Sequence, residues 1–302
     1  MSTKTTVDID RLNRNRRKNG EFGESERQAP KNQTIGGMSD EQYAEWTSDA
    51  DELADLSLHS DSWVRTLVAR NLHTPDEMVE RLKGDKSPGV RRAAFLRDDT
   101  TSDELETGWK SGALSPTDVA GHPASNAETI AAAARVELAD EYAADDLVNF
   151  TVHNLMTHEN ADNDTFRAAI ESPRTDLTTL AVAIEKTSNP DDLQKAAERL
   201  SESNQNDPQI VGAWEALAGN DSADEMALDL VPHTTEDVSY DLTLAQNQNL
   251  SYARFSELVE SLDESPDRVD LARFLAKNPS LPDAGMIVLA SHPDAKVRAV
   301  AA

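Results

Sequence analysis

The chain has 302 residues, 38% hydrophobic and only 5% aromatic, with 56 Asp and Glu against 29 Lys and Arg, a formal net charge of −27. No apolar run is long enough to cross a bilayer and the N-terminus lacks an apolar signal core, so the expectation is a cytoplasmic protein with no membrane role. The absence of cysteine excludes disulfides, Cys-ligated zinc and iron–sulfur clusters, and the acidity argues against direct nucleic-acid binding by the body, which would repel phosphates.

Residues 1–37 read as a disordered, mildly basic tail. They are polar, carry Gly20, Gly23, Pro30, Gly36 and Gly37, and show no helical or strand period. Residues 1–40 hold eight Lys and Arg and six Asp and Glu, a net of +2, so the remainder carries 21 against 50, or −29. Within the tail, Arg14, Arg16, Arg17 and Lys18 in the run from Arg11 are candidate partner-binding residues. Such a run is an electrostatic handle for nucleic acid or an acidic protein, or else a solvated tail that folds back on its own acidic body. With Gly20-Glu21-Phe22 behind it, the run resembles N-terminal leaders of actinobacterial plasmid and phage-type proteins.

Order is expected from Ser39, where Ser39-Asp40-Glu41-Gln42 has the form of a capping box. Start signals of this kind recur at Ser48…Asp51, Thr74-Pro75-Asp76-Glu77, Ser115-Pro116-Thr117-Asp118, Ser125…Glu128, Asn189-Pro190-Asp191-Asp192, Ser222…Glu225 and Thr234…Asp237. Acidic residues in these first turns suit the positive end of a helix dipole, which gives part of the charge a local helical reason. No run alternates with the period of a strand.

A motif repeats. Val64–Met78 is followed by a second copy at Val90–Thr100, 26 residues on, and Leu271–Asn278 stands in the same relation to Val297–Ala302. Taking Asn71, Arg97, His122, His158, Lys186, Gly219, Asn247 and Asn278 as anchors gives intervals of 26, 25, 36, 28, 33, 28 and 31. Residues 131–157 fill the widest interval, and Val136–Ala143 reads as extra helix. A period of this size means supersecondary units that bury their apolar faces on one another. The predicted fold is therefore all-α: an α-solenoid of short helical repeats of about 25–36 residues, forming one acidic domain over residues 38–302.

The pattern Val-Arg-x-x-(Val/Ala)-Ala-x-Asn-x-x-(Thr/Ser)-Pro, clearest at Val64–Leu82 and fair at Val90–Leu105 and Leu271–Val297, resembles the leucine-rich repeat variant, a relative of HEAT-like α-solenoids. The resemblance implies a right-handed superhelix of paired short helices. Some relatives carry a cysteine-ligated iron–sulfur cluster, which a chain without Cys cannot hold, and some are DNA glycosylases with a basic groove, which this acidic body opposes.

Among His59, His73, His122, His153, His158, His233 and His292 there is no zinc-binding spacing, and His122 and His158 occupy the anchor position held elsewhere by Asn, where both residue types can cap a tight corner. Glu159–Asp164 has some character of a calcium loop but lacks its Gly and terminal Glu. Phosphate-binding and nucleophile motifs are missing from the sequence. Trp46, Trp63, Trp109 and Trp214 are either inter-repeat core or partner anchors, with Trp63 and Trp109 taken as the candidate anchors. Arg65, Arg91 and Arg298 share one repeat position and are expected to pair with acidic neighbours. The expectation is a non-enzymatic protein–protein interaction scaffold without metal or cofactor, its protein partner unknown. The alternatives are an acidic imitation of DNA that inhibits a nucleic-acid-binding protein and, lower, a HEAT-like DNA-processing enzyme. The acidity itself also fits plain solubility or a salt-adapted proteome.

Overall fold

A computed structural model describes residues 34–35, 38–232, 240–263 and 268–301. The candidate residues Arg14, Arg16, Arg17 and Lys18, together with His233 and the start signal at Thr234…Asp237, lie outside the described residues. Thr34–Ile35 pairs antiparallel with Met38–Ser39, a two-residue ladder that sequence periodicity is too short to register. Everything else regular among the described residues is helical, nineteen α-helices and one 3₁₀ turn, and none is long and apolar enough to cross a membrane.

The helices fall into two compact units, Met1–Ala161 and Asp162–Ala302. The first holds α1 (Asp40–Trp46), α2 (Ala50–Leu56), α3 (Ser62–Arg70), α4 (Asp76–Lys83), α5 (Pro88–Phe95), α6 (Ser102–Lys110), α7 (Pro116–Gly121), α8 (Ala127–Leu138) and α9 (Asp145–Thr157). The second holds α10 (Asn163–Glu171), α11 (Leu177–Lys186), α12 (Pro190–Glu202), α13 (Ile210–Gly219), α14 (Glu225–Asp229), α15 (Tyr240–Leu244), α16 (Tyr252–Glu260), the 3₁₀ turn Ser261–Asp263, α17 (Arg268–Lys277), α18 (Asp283–Ser291) and α19 (Ala295–Arg298). Helices pack next-but-one as well as next to each other: α1 on α3 and α3 on α5 in the first unit, α11 on α13 and α13 on α15 in the second. That is the contact pattern of a helical repeat, each unit covering the apolar face of its neighbour. The buried side chains are mostly Ala, Leu and Val, among them Leu53, Val64, Val68, Leu82, Val90 and Ala94 in one cluster, and small residues permit close helix approach.

The start signals are only partly placed as expected. Ser39 and Ser115 form capping boxes with Gln42 and Asp118, and Asn189 caps α12 ahead of Pro190. Elsewhere the cap is a neighbouring carboxylate or amide: Asp49 rather than Ser48, Asn126 rather than Ser125, and Asp224 rather than Ser222. Thr74 and Ser125 are not caps. Their hydroxyls donate to the carbonyls of Val68 at 2.6 Å and Val119 at 2.7 Å, each fastening a corner to the helix before it. The extra helix expected at Val136–Ala143 is also different. Residues 136–138 finish α8, and Asp140–Ala143 is a turn closed by the Ala143 N–H on the Asp140 carbonyl at 3.1 Å. The wide interval comes from lengthening α8 to 12 and α9 to 13 residues, against 6 for α7.

Candidate interaction surface

The anchors sit at the corners that follow the odd-numbered helices, and each Asn or His among them does two things. Its acceptor takes the backbone N–H two residues on: Asn71 from His73 at 2.9 Å, His122 from Ala124 at 3.1 Å and His158 from Asn160 at 3.1 Å. Its donor reaches back to the preceding corner. In the first unit Asn71 Nδ2 bonds the Thr47 carbonyl at 2.9 Å, Arg97 Nη1 that of Asn71 at 2.7 Å, His122 Nε2 that of Arg97 at 3.0 Å and His158 Nε2 that of His122 at 3.0 Å. In the second unit Asn220 bonds Thr187 at 2.9 Å, Asn247 bonds Asn220 at 3.0 Å and Asn278 bonds Asn247 at 2.8 Å. These carbonyls lie past the helix ends; several also accept a turn N–H, as Asn71 does from Thr74 at 3.0 Å and Arg97 from Thr100 at 3.1 Å, and the anchor fills their second acceptor position. Two anchors move by one position: Thr187 and Asn220 hold the corners, not Lys186 and Gly219, which are the last residues of α11 and α13. Arg97 departs from the pattern, closing its own corner through a two-pronged pair with Asp99 at 2.8 Å.

The shared arginines serve the opposite set of corners. Arg65, Arg91 and Arg298 each donate to the carbonyl six residues earlier, of His59, Asp85 and His292, at 2.7 Å in all three cases. Only Arg65 also makes the expected acidic pairing, two-pronged to Asp85 at 2.8 and 2.9 Å. Burial alone would raise the Asp85 pKa, but the bonds from Arg65 and the Ser87 N–H outweigh it and hold the carboxyl below its ordinary value.

One cleft in the first unit, about 590 Å³, is lined by residues of α4, α5 and α6. Lys83 occupies its wall, 2.6 Å from Glu80 and 2.5 Å from Glu104, with its Nζ 5.5 Å from the centre of the Phe95 ring. Desolvation would lower the Lys83 pKa, and the two carboxylates more than reverse that. Glu104 accepts from Lys83, from the Thr101 N–H and from the Thr101 hydroxyl, which together bring its pKa to about 2. Lys83 is thus paired within the cleft and ties α4 to α6, while the lining as a whole carries four carboxylates against two cations.

The acidic loop Glu159–Asp164 has local uses. Asp162 caps α10 through the N–H groups of Asp164 and Thr165, and Asp164 pairs with Arg167 at 2.7 Å. Trp109 is corrected as a candidate anchor: only 1% exposed, it lies in the core between α6 and its neighbours and cannot touch a partner in the folded protein. Trp63, at the start of α3, is half-buried, while Trp46 stands 77% exposed at the end of α1. Three further aromatics, Tyr142, Phe150 and Tyr252, are exposed without a motif to mark them. The signal for Phe150 was present: α9 carries apolar residues at Leu147, Val148, Phe150, Val152, Leu155 and Met156, wider than one buried stripe requires.

No family model, no curated protein and no solved structure matches the chain.

Proposed function

We propose that this protein is a non-enzymatic interaction scaffold, an α-solenoid of the variant leucine-rich and HEAT-like kind that presents a stiff helical surface to another protein. The corner ladder carries the reading. Asn71, Arg97, His122 and His158 in one unit, and Asn220, Asn247 and Asn278 in the other, use their polar atoms on the protein's own backbone. Residue types that elsewhere do chemistry are here constructive, fixing the register of successive repeats. Part of the acid is constructive too: Asp49, Asp61, Asp162, Asp176, Asp224 and Asp294 cap helices. Carboxylates placed by capping geometry favour a scaffold over an imitation of DNA, which needs them in a continuous stripe at phosphate spacing.

The test is capture of partners by the full-length protein in an extract of its own host, beside an acidic control protein of equal net charge. A protein retained over the control that then forms a stoichiometric complex with the purified chain supports the scaffold. Retention of nothing beyond the control at low salt overturns it.

A further inference from the structure

Between Tyr142 and Phe150 the surface carries three large apolar side chains, Tyr142, Leu147 and Phe150, 87%, 37% and 61% exposed. Helix α9 buries Val148, Val152, Leu155 and Met156. Leu147 and Phe150, three residues apart, are neighbours on its outer side, where a surface helix ordinarily carries polar groups. Single exposed apolar residues are commonplace, but here two are neighbours on one helix face and a third stands in the turn before it. Glu141, Asp145 and Asp146 are exposed beside them. The helix dipole accounts for Asp145 and Asp146 in the first turn; it does not account for the apolar residues they flank. From Val136 to Ala161 there are six Asp and Glu and no Lys or Arg, so the segment that carries the patch is itself anionic.

We propose that this face of α9 and the turn before it dock a cationic amphipathic segment of a partner protein. An apolar side chain of the segment seats against Leu147, Phe150 and Tyr142, and flanking Lys or Arg meet Glu141, Asp145 and Asp146. The inference rests on the scaffold reading and names its partner class. Charge complementarity selects the occupant: the same carboxylates repel nucleic acid and anionic lipid, and a second copy of this body would add like charge. Arginine suits the patch doubly, since it pairs with carboxylates and stacks on aromatic faces.

The test uses the full-length protein and two fluorescein-labelled peptides of about 15 residues with equal positive charge, one of Lys and Leu at helical spacing and one of Lys, Gly and Ser, at about 0.15 M salt. The Lys–Leu peptide is expected to bind about tenfold tighter or more, the equivalent of burying one to two large apolar side chains. The double variant Leu147→Ser, Phe150→Ser should reduce it to the level of the Lys–Gly–Ser peptide. Asp145→Asn with Asp146→Asn should weaken both peptides and flatten their salt dependence. All four side chains are exposed, so circular dichroism should show an unchanged fold. A photoreactive group at a Leu position should label residues 142–150. Equal affinity for the two peptides, or labelling of another face, overturns the proposal while leaving the scaffold reading in place. That reading falls separately, if the host extract yields no partner.

Discussion

His158 donates its Nε2 hydrogen to the backbone carbonyl of His122 at 3.0 Å, and His122 repeats the gesture toward Arg97 at the same distance. Asn71, Asn220, Asn247 and Asn278 make the equivalent bond with a side-chain amide. Asn and His interchange here because each offers one acceptor and one N–H donor from a single planar group. His122→Asn should therefore keep most of the stability, while His122→Ala should lose about 1–3 kcal/mol by stranding the Ala124 N–H and leaving the buried Arg97 carbonyl with the Thr100 N–H alone. Urea unfolding of the two variants compares them; equal losses would show that the ring matters for its bulk and not for its bonds.

The ladder also fixes a tautomer. Nδ1 of His122 and of His158 accepts a backbone N–H at 3.1 Å, so the proton belongs on Nε2, an assignment made from the hydrogen-bond network. Imidazole ¹⁵N shifts should show the ring proton of both residues on Nε2, with Nδ1 unprotonated. A protonated Nδ1 in either ring would remove the basis for reading these histidines as corner residues.

Gly108 in α6 is where a side chain has no room. A Cβ there would lie 2.7 Å from Cγ of Phe95 and 3.1 Å from a methyl of Leu114. Both neighbours are buried, and Phe95 is held under Lys83. Ala in place of Gly inside a helix ordinarily gains about 1 kcal/mol, but overpacking of a filled core costs about 1–3 kcal/mol. Gly108→Ala should come out destabilising or at best neutral in thermal or urea unfolding, whereas Gly212→Ala, with open space around it, should stabilise.

Glu104 links acid stability to a single cluster. Its pKa, brought to about 2 by Lys83 and by the N–H and hydroxyl of Thr101, lies below the ordinary value of 4.5. A depressed folded value means the contribution is complete above the unfolded pKa and fades as pH falls from about 4.5 toward 2. Glu104→Gln should be less stable than the parent at pH 7, with the gap closing across that window. A gap that stays constant down to pH 3 would mean that the carboxylate charge is not what holds α4 to α6.

Much of this was legible in the sequence, and the failures have physical causes. The 26-residue interval from Val64 to Val90 fixes one helix pair per repeat because each pair must bury the same face. Asn71 and His122 stand out because a corner needs a residue that can both cap and donate. Thr187 and Asn220 were each misplaced by one position, since Lys186 and Gly219 occur beside them and a spacing cannot say which of two adjacent residues turns inward. Start signals fail in the same way: Ser125 and Asn126 are both good caps in isolation, and only the contact of Ser125 with the Val119 carbonyl assigns it elsewhere. Trp109 and Phe150 are the harder case. Whether an aromatic faces the core or water depends on which neighbour covers it, and that is settled between repeats rather than within one.

Arg65 and Asp85 join two successive corners across 20 residues, with side chains only 6% and 12% exposed. Arg65 serves four acceptors at once: both Asp85 oxygens and, through Nη1, the His59 and Ser60 carbonyls. Lysine has one nitrogen and no planar fork, so Arg65→Lys should lose nearly as much as Arg65→Met despite keeping the charge. Breaking a buried pair from one side costs about 3–5 kcal/mol; since Asp85 retains some water, roughly 2–3 kcal/mol is the expectation for either arginine variant. Asp85→Asn on the Arg65→Met background should recover part of this, because it removes the carboxylate left without its partner. If the double variant is no more stable than Arg65→Met alone, the pair contributes little, and the arginine serves chiefly through the His59 carbonyl, as Arg91 and Arg298 do at the Asp85 and His292 carbonyls.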